Sequence, residues 1–453
     1  VFAPAPHAAR SAGSPQYVAP SGSGALFLVS GHGYGHGVGM GQWGAQGYAQ
    51  QGYGYEQILD AYYPGTQLGE TTTSSIRVLL ASGKKTLTIS SKKPFTVEDG
   101  DDVDHTLPAG KTTFGPGLKL AVDGGPAAAL PEPLTFSPAS GSTLILGHTY
   151  RGQILVDVPG KKLRAINVLP LEQYLYGVVP AEMPSAWLPA ALEAQAVAAR
   201  SYAIANRKAA APFDVYADGR SQAYLGVSAE TPAGREAVDE TAGEVLLYGG
   251  DVADTLFSSS TGGWTQSAAD AFGSPGRPYL VSEKDPYDKI SPYHDWGPVP
   301  VTAQTLGHTL GVVGRVVDAT VRRNSSRRVK MLNVMSLSGG TAHATSVSGA
   351  TTASALELRS AWFSVGVLSL QPPSPNPKVA PGTRVTLSGV VRGVRGVVVQ
   401  KRSNGGPWKR QRSAVPGSFH FVVKPKVTTQ YRLASAHDAA ASVRIRVQGA
   451  TVG

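Results

Sequence analysis

Glycine and proline interrupt this chain too often for long helices. The sequence holds 54 Gly and 33 Pro among 453 residues, about a fifth of all positions, which points to many turns and short strands. A mostly helical bundle is not expected. With 42% hydrophobic and 16% charged residues the chain is neither disordered nor a coiled coil, and its length suits two or three packed domains. Its apolar runs, such as Leu26 to Val29, are strand-sized and fall short of the ~18 residues of a membrane-spanning helix. Cysteine is absent, which removes thiolate nucleophiles, disulfides and Cys-based zinc sites. No metal, cofactor or transmembrane segment is expected.

The spacing of apolar residues gives an α+β organisation. Residues 1–24, rich in Ala, Pro, Ser and Gly without periodicity, are expected to be a flexible leader, the start of a mature exported protein or of a trimmed chain. A body follows over 25–370. It opens with an apolar strand at Ala25 to Ser30, then a glycine-rich loop, then helical spacing from Trp43 to Tyr63. A mainly antiparallel β subregion is expected over about 76–160, from stretches such as IRVLL, TLTIS and STLILG. An Ala-rich central helix is predicted over Pro184 to Lys208, with Leu188, Leu192, Ala196, Ala199 and Ala203 on one stripe. A second short helix is predicted near Thr231 to Ala242, and a helical LELRSAWF closes the body near Phe363. The Pro-rich QPPSPNPK, residues 371–378, reads as a linker. Beyond it, residues 379–453 read as an immunoglobulin-like β-sandwich.

The net charge of +10 is uneven. From Gln371 to Gly453 there are 14 Lys and Arg against one acid, Asp438. Such a domain attracts polyanions or serves as a solvated surface. Residues 379–453 are expected to hold anionic wall polymer; nucleic acid is not expected, because the aromatic spacing of common single-strand binders is missing.

Glu182 is the carboxylate that stands out, lying in LYGVVPAEMPSAW between Pro180 and Pro184. Apolar neighbours would raise its pKa and a nearby helix N-terminus would lower it, so burial must dominate if it is to act as a general acid. An N-terminal capping role is the competing reading. His32 and His36 are four apart, but the glycines around them favour a hydrogen-bonded turn over a metal site.

These segments resemble the stage II sporulation protein D family, whose domain is also called SpoIID/LytB. The resemblance rests on VLPLEQYLYGVVPAEMPSAWLPAALEAQAVAARSYAIAN, on GHGYGHGVGMGQWGAQGYAQQGYGYEQILDAYYPGTQL, on SSSTGGWTQSAADAFG and on the YRG at Tyr150 to Gly152. In founding members the GHG segment closes the domain, whereas here it opens it. The resemblance implies a SpoIID-like catalytic body and cleavage of peptidoglycan glycan strands as a lytic transglycosylase, with Glu182 as general acid and base. It also implies supporting, substrate-binding roles for His36, Met40, Gln42, Gln195, Arg200, Ser201, Ser260, Thr261 and Trp264, with Arg200 holding substrate or Glu182. Hydrolysis with Glu172 or Glu193 as a second acid stays open. So does a non-catalytic wall-binding role that recruits or enhances an amidase. A secreted or wall-associated location is expected.

Overall fold

Residues 24–208, 210–273, 277–374 and 377–448 are described in the structure, a computed structural model. The expected leader, residues 1–24, lies outside them except for Gly24. The chain divides into two units, one containing Gly35–Ser291 and the other, among described residues, 24–34 and 292–448. Mixed α and β structure with largely antiparallel sheets runs through both. No helix among the described residues is long and apolar enough to cross a membrane.

The first unit begins with α1, Gln42–Gln50, and α2, Tyr55–Tyr62. The single helical stretch expected from Trp43 to Tyr63 is broken at Gly52, whose φ of 85° a helix cannot accommodate. A seven-stranded sheet follows, in the order Val215–Tyr216, Ser75–Lys84, Leu163–Pro170, Gln153–Asp157, Leu134–Pro138, Phe95–Glu98, Asp104–Leu107. Only the short Val215–Tyr216 strand runs parallel to its neighbour in it.

The strand Leu163–Pro170 passes directly into α3, Leu171–Glu182, and then α4, Pro189–Ala205. The sequence reading placed one helix from Pro184 and overlooked α3. Pro180 lies inside α3, but only two residues from its end, so the lost N–H falls in the last turn. In α4 Pro189 takes the first helical position, where no hydrogen bond is forfeited. Twelve of its 17 residues are buried, and the alanines let α3, α5 (Pro232–Glu240) and the strand Glu244–Tyr248 approach closely. Thr231 caps α5 by accepting from Gly234 N–H at 3.2 Å.

In the second unit one five-stranded sheet is ordered Asp295–Thr302, Leu26–His32, Phe363–Gln371, Val385–Arg392, Gly417–Val423. Leu26, Leu28, Leu368 and Leu370 join one core, while Phe27, Val29, Phe363 and Val367 join another on the opposite face. Burial on both faces is why LFLV reads as a continuous apolar run rather than an alternating one. The first core is closed by a second sheet, ordered Lys378–Val379, Val443–Val447, Thr429–Ala434, Val398–Ser403, Lys409–Ser413.

The tail strands therefore differ in organisation from the expected separate domain over 379–453. Their first sheet is continued by Phe363–Gln371, which pairs Leu368 with Val391 and Leu370 with Gly389 across the Pro-rich connection. The expected body over 25–370 is likewise divided, because Leu26–His32 belongs to the second unit. LELRSAWF is not helical either. The helix there is Gly349–Ala355, and Glu357 takes a left-handed φ of 53° that stops it.

Candidate active site

Glu182 is the last residue of α3, not a cap of α4, whose N-cap is Leu188. Its carboxyl lies deep among protein atoms while the residue keeps part of its surface open. Burial pushes its pKa up to about 7, against the smaller opposing effects of hydrogen bonds from Ala223 N–H and the Gln42 side chain. The C-terminal end of a helix also disfavours a carboxylate. Among the described residues no ion pair involves Glu182. A carboxyl with this environment exchanges a proton near neutrality, as a general acid and base must.

Its hydrogen-bonding partners are held in turn. Ala223 N–H donates to Oε1 at 2.6 Å. The adjoining Gln222 accepts from Tyr174 Oη at 2.9 Å and donates to Ala199 O at 3.2 Å. Tyr224 Oη donates to Asn167 Oδ1 at 2.8 Å, and Asn167 donates to the carbonyls of Arg151 and Gln153. The YRG segment thus anchors the loop that presents the Ala223 N–H, and Arg151 is itself fixed by a two-pronged pair with Glu230 at 2.6 and 2.8 Å.

Gln42 reaches Glu182 from the first turn of α1. Gly41, Gly44 and Gly47 make this placement possible, since a Cβ on Gly44 would lie 2.0 Å from Tyr62 Oη and 2.4 Å from Asp285 Oδ2. A Cβ on Gly47 would lie 2.4 Å from Tyr287 O. The glycines of α1 therefore form a contact stripe that lies against the Asp285 side chain and the Tyr287 backbone. The same helix sends Gln46 Oε1 to Leu188 N–H at 3.0 Å, and Trp43 packs edge-on against Trp187 with ring centroids 4.8 Å apart. Gln42 Nε2 also donates to Gln195 Oε1 at 3.4 Å.

Part of the chain that builds this geometry is similar to known proteins. Residues 159–248 match the stage II sporulation protein family, SpoIID. Stage II sporulation protein D of Bacillus subtilis is 34% identical over 184 residues, covering 35% of this chain and 52% of that protein. An uncharacterized protein of Brachyspira hyodysenteriae is 33% identical over 203 residues, covering 44% of this chain and 55% of the other. The amidase enhancer of Bacillus subtilis is 40% identical over 114 residues, 25% of this chain and 15% of that protein. The chain spans about half the length of the first two relatives.

Of the residues singled out in the sequence, α1, α3 and α4 bring Gln42, Glu182 and Gln195 together. Met40 is fully buried, with its N–H donating to Leu256 O at 3.1 Å, so it is core and not a sugar contact. Arg200 neither binds Glu182 nor meets solvent; its guanidinium grips Glu172 at 2.9 and 2.6 Å and the carbonyls of Glu244 and Val238. Ser201 is buried, donating to Val197 O and accepting from Leu246 N–H. Ser260 and Thr261 are buried and donate to Asp288 and Asp285 at 2.8 and 2.7 Å. These four are structural because each polar group already has an internal partner.

His36 and Trp264 are partly buried. His36 Nδ1 accepts from Val38 N–H at 2.9 Å, and Trp264 bridges to Lys284. Sequence reasoning missed Trp43, Trp187 and the Ala223 N–H. The two tryptophans were detectable as aromatics beside Gln42 and just after Glu182, whereas a backbone donor leaves no sequence signal.

Proposed function

We propose that this protein is a peptidoglycan lytic transglycosylase in which Glu182 is both acid and base. The observation that carries the reading is a partly open carboxyl with a pKa of about 7, set by burial and free of any ion pair among the described residues. Ala223 N–H holds Oε1 and the Gln42 side chain gives a second hydrogen bond, which fix the orientation of the carboxyl. The proton passes to the glycosidic oxygen between N-acetylmuramic acid and N-acetylglucosamine. The carboxylate formed then takes the proton of the muramoyl 6-hydroxyl as that oxygen closes on C1, giving a 1,6-anhydro end. No water is consumed, so the paired carboxylates of ordinary glycosidases are not required.

The surroundings of the other acids agree with this. Glu172 is committed to Arg200. Glu193 has its pKa raised by burial and then by Glu240, Glu236 and Glu244, with no link to Glu182. Trp43 and Trp187 offer partly exposed aromatic surface for a sugar ring, and Gln42 is placed to steady the developing carboxylate. The substrate would place the protein outside the cytoplasm, in or at the cell wall.

Purified glycan strands, with and without stem peptides, provide the test. Digestion followed by mass spectrometry is expected to give anhydro-muropeptides, one water lighter than reducing ends, and Glu182→Gln is expected to give none while still binding glycan. The 40% identity to an amidase enhancer favours a second reading, a glycan-binding protein that recruits an amidase. Wild-type protein that binds glycan, releases nothing and accelerates an added amidase would establish that reading instead.

A further inference from the structure

The outward face of the second sheet of the second unit has no part in the chemistry of Glu182. Val399, Tyr431, Leu433, Val443 and Ile445 point inward and join the core. Alternation therefore puts Gln400, Arg402, Gln430, Arg432, Arg444 and Arg446 on the opposite face. The register assembles them into rows. Gln400 stands between Arg432 and Arg410 on its two neighbouring strands, and Gln430 stands between Arg402 and Arg444.

Each glutamine holds an arginine. Arg432 Nε donates to Gln400 Oε1 at 2.8 Å and Arg402 Nε to Gln430 Oε1 at 2.5 Å. The Arg402 and Arg432 guanidinium carbons also lie 4.7 and 4.1 Å from the Trp408 ring centroid. Burial and the nearby Arg402 charge lower the pKa of Arg432, a sign of cations gathered without counter-charge. Among the described residues none of Arg402, Arg410, Arg432, Arg444 and Arg446 has a carboxylate partner, and Asp438 is the sole acid from Gln371 to Gly453.

We propose that this arginine grid binds a phosphodiester-linked polyol polymer of the kind threaded through a cell wall. Planar guanidinium groups match phosphate oxygens, and rows ~6.6 Å apart along strands ~4.8 Å apart suit a flexible chain of repeated single charges better than one compact anion. Single-stranded nucleic acid is disfavoured by the same face. Trp408 is already engaged by two arginines, and the other outward positions named above hold no aromatic on which a base would stack.

The full chain, titrated with purified poly(glycerol phosphate) at several salt concentrations, tests the proposal independently of glycan cleavage. Binding is expected to weaken linearly in log–log form with salt. The triple variant Arg410→Gln, Arg444→Gln, Arg446→Gln removes exposed side chains and is expected to lower affinity at least about tenfold at low salt and to flatten the slope by roughly two units. A control with the same charge change elsewhere, Arg384→Gln, Lys424→Gln, Lys426→Gln, is expected to change affinity less than about threefold. Three outcomes would overturn the proposal: no binding by the wild type, equal losses in both triple variants, or tighter binding to single-stranded or duplex DNA that the grid variant abolishes.

Discussion

Two acids in the first unit, Glu182 and Asp285, are both pushed up to about pKa 7 by burial, yet their surroundings differ. Glu182 has an open side and neutral donors. Asp285 is fully enclosed, with the charge of Asp288 raising its pKa further, Thr261 Oγ1 donating to Oδ2, and Tyr62 Oη and the α1 backbone against it. One carboxyl can exchange its proton with a ligand, and the other can only hold a helix in place. A raised pKa therefore identifies a buried acid, and access decides whether that acid does chemistry.

The strongest way to break this contrast is to neutralise each acid in turn. Glu182→Gln is expected to lower glycan cleavage by at least about 10³-fold, while Asp285→Asn keeps activity within about tenfold where it folds. Release of anhydro ends by Glu182→Gln at the wild-type rate would erase the distinction. Gly44→Ala probes the structural acid from the other side. Its new Cβ meets Tyr62 and Asp285 well inside contact distance, so unfolding free energy is expected to fall by about 2–4 kcal/mol in denaturant titration.

The pH dependence of stability sharpens the comparison further. The folded pKa of Glu182, about 7, lies above the ordinary value of 4.5. Its contribution is therefore fully present below the unfolded pKa and is lost as pH rises through the folded one. Glu182→Gln is expected to be more stable than wild type by on the order of 1–3 kcal/mol near pH 8, with the gain vanishing by about pH 4. A gain independent of pH would deny that the proton is responsible. The smallest effect expected is that of Trp187→Ala, which should raise KM about tenfold with kcat changed less, as removal of a stacking surface does.

Legibility in the sequence followed how local each determinant is. Glu182 and Gln42 were found because their motifs carry them, and the Ala-rich core of α4 because its residues are strong helix formers. Arg200 was misassigned because its partner is fixed by packing between α3 and α4, and α3 itself was hidden by Pro180. Met40 looked like a loop residue among glycines, but Tyr63 and the Leu256 backbone, distant in sequence, enclose it. The tail strands suggested a self-contained sandwich because no local pattern reveals that Leu26–His32 and Phe363–Gln371 extend its sheet. Trp187 shows the limit differently, since only its meeting with Trp43 gives it meaning.

The most direct measurement is the titration of Glu182 itself, by carbon NMR of protein labelled at the glutamate side-chain carboxyls, with Glu182→Gln assigning the signal and Asp285 silent. One glutamate carboxyl is predicted to titrate near pH 7 and to vanish in the variant. A Glu182 signal already ionised at about pH 5 would contradict the account.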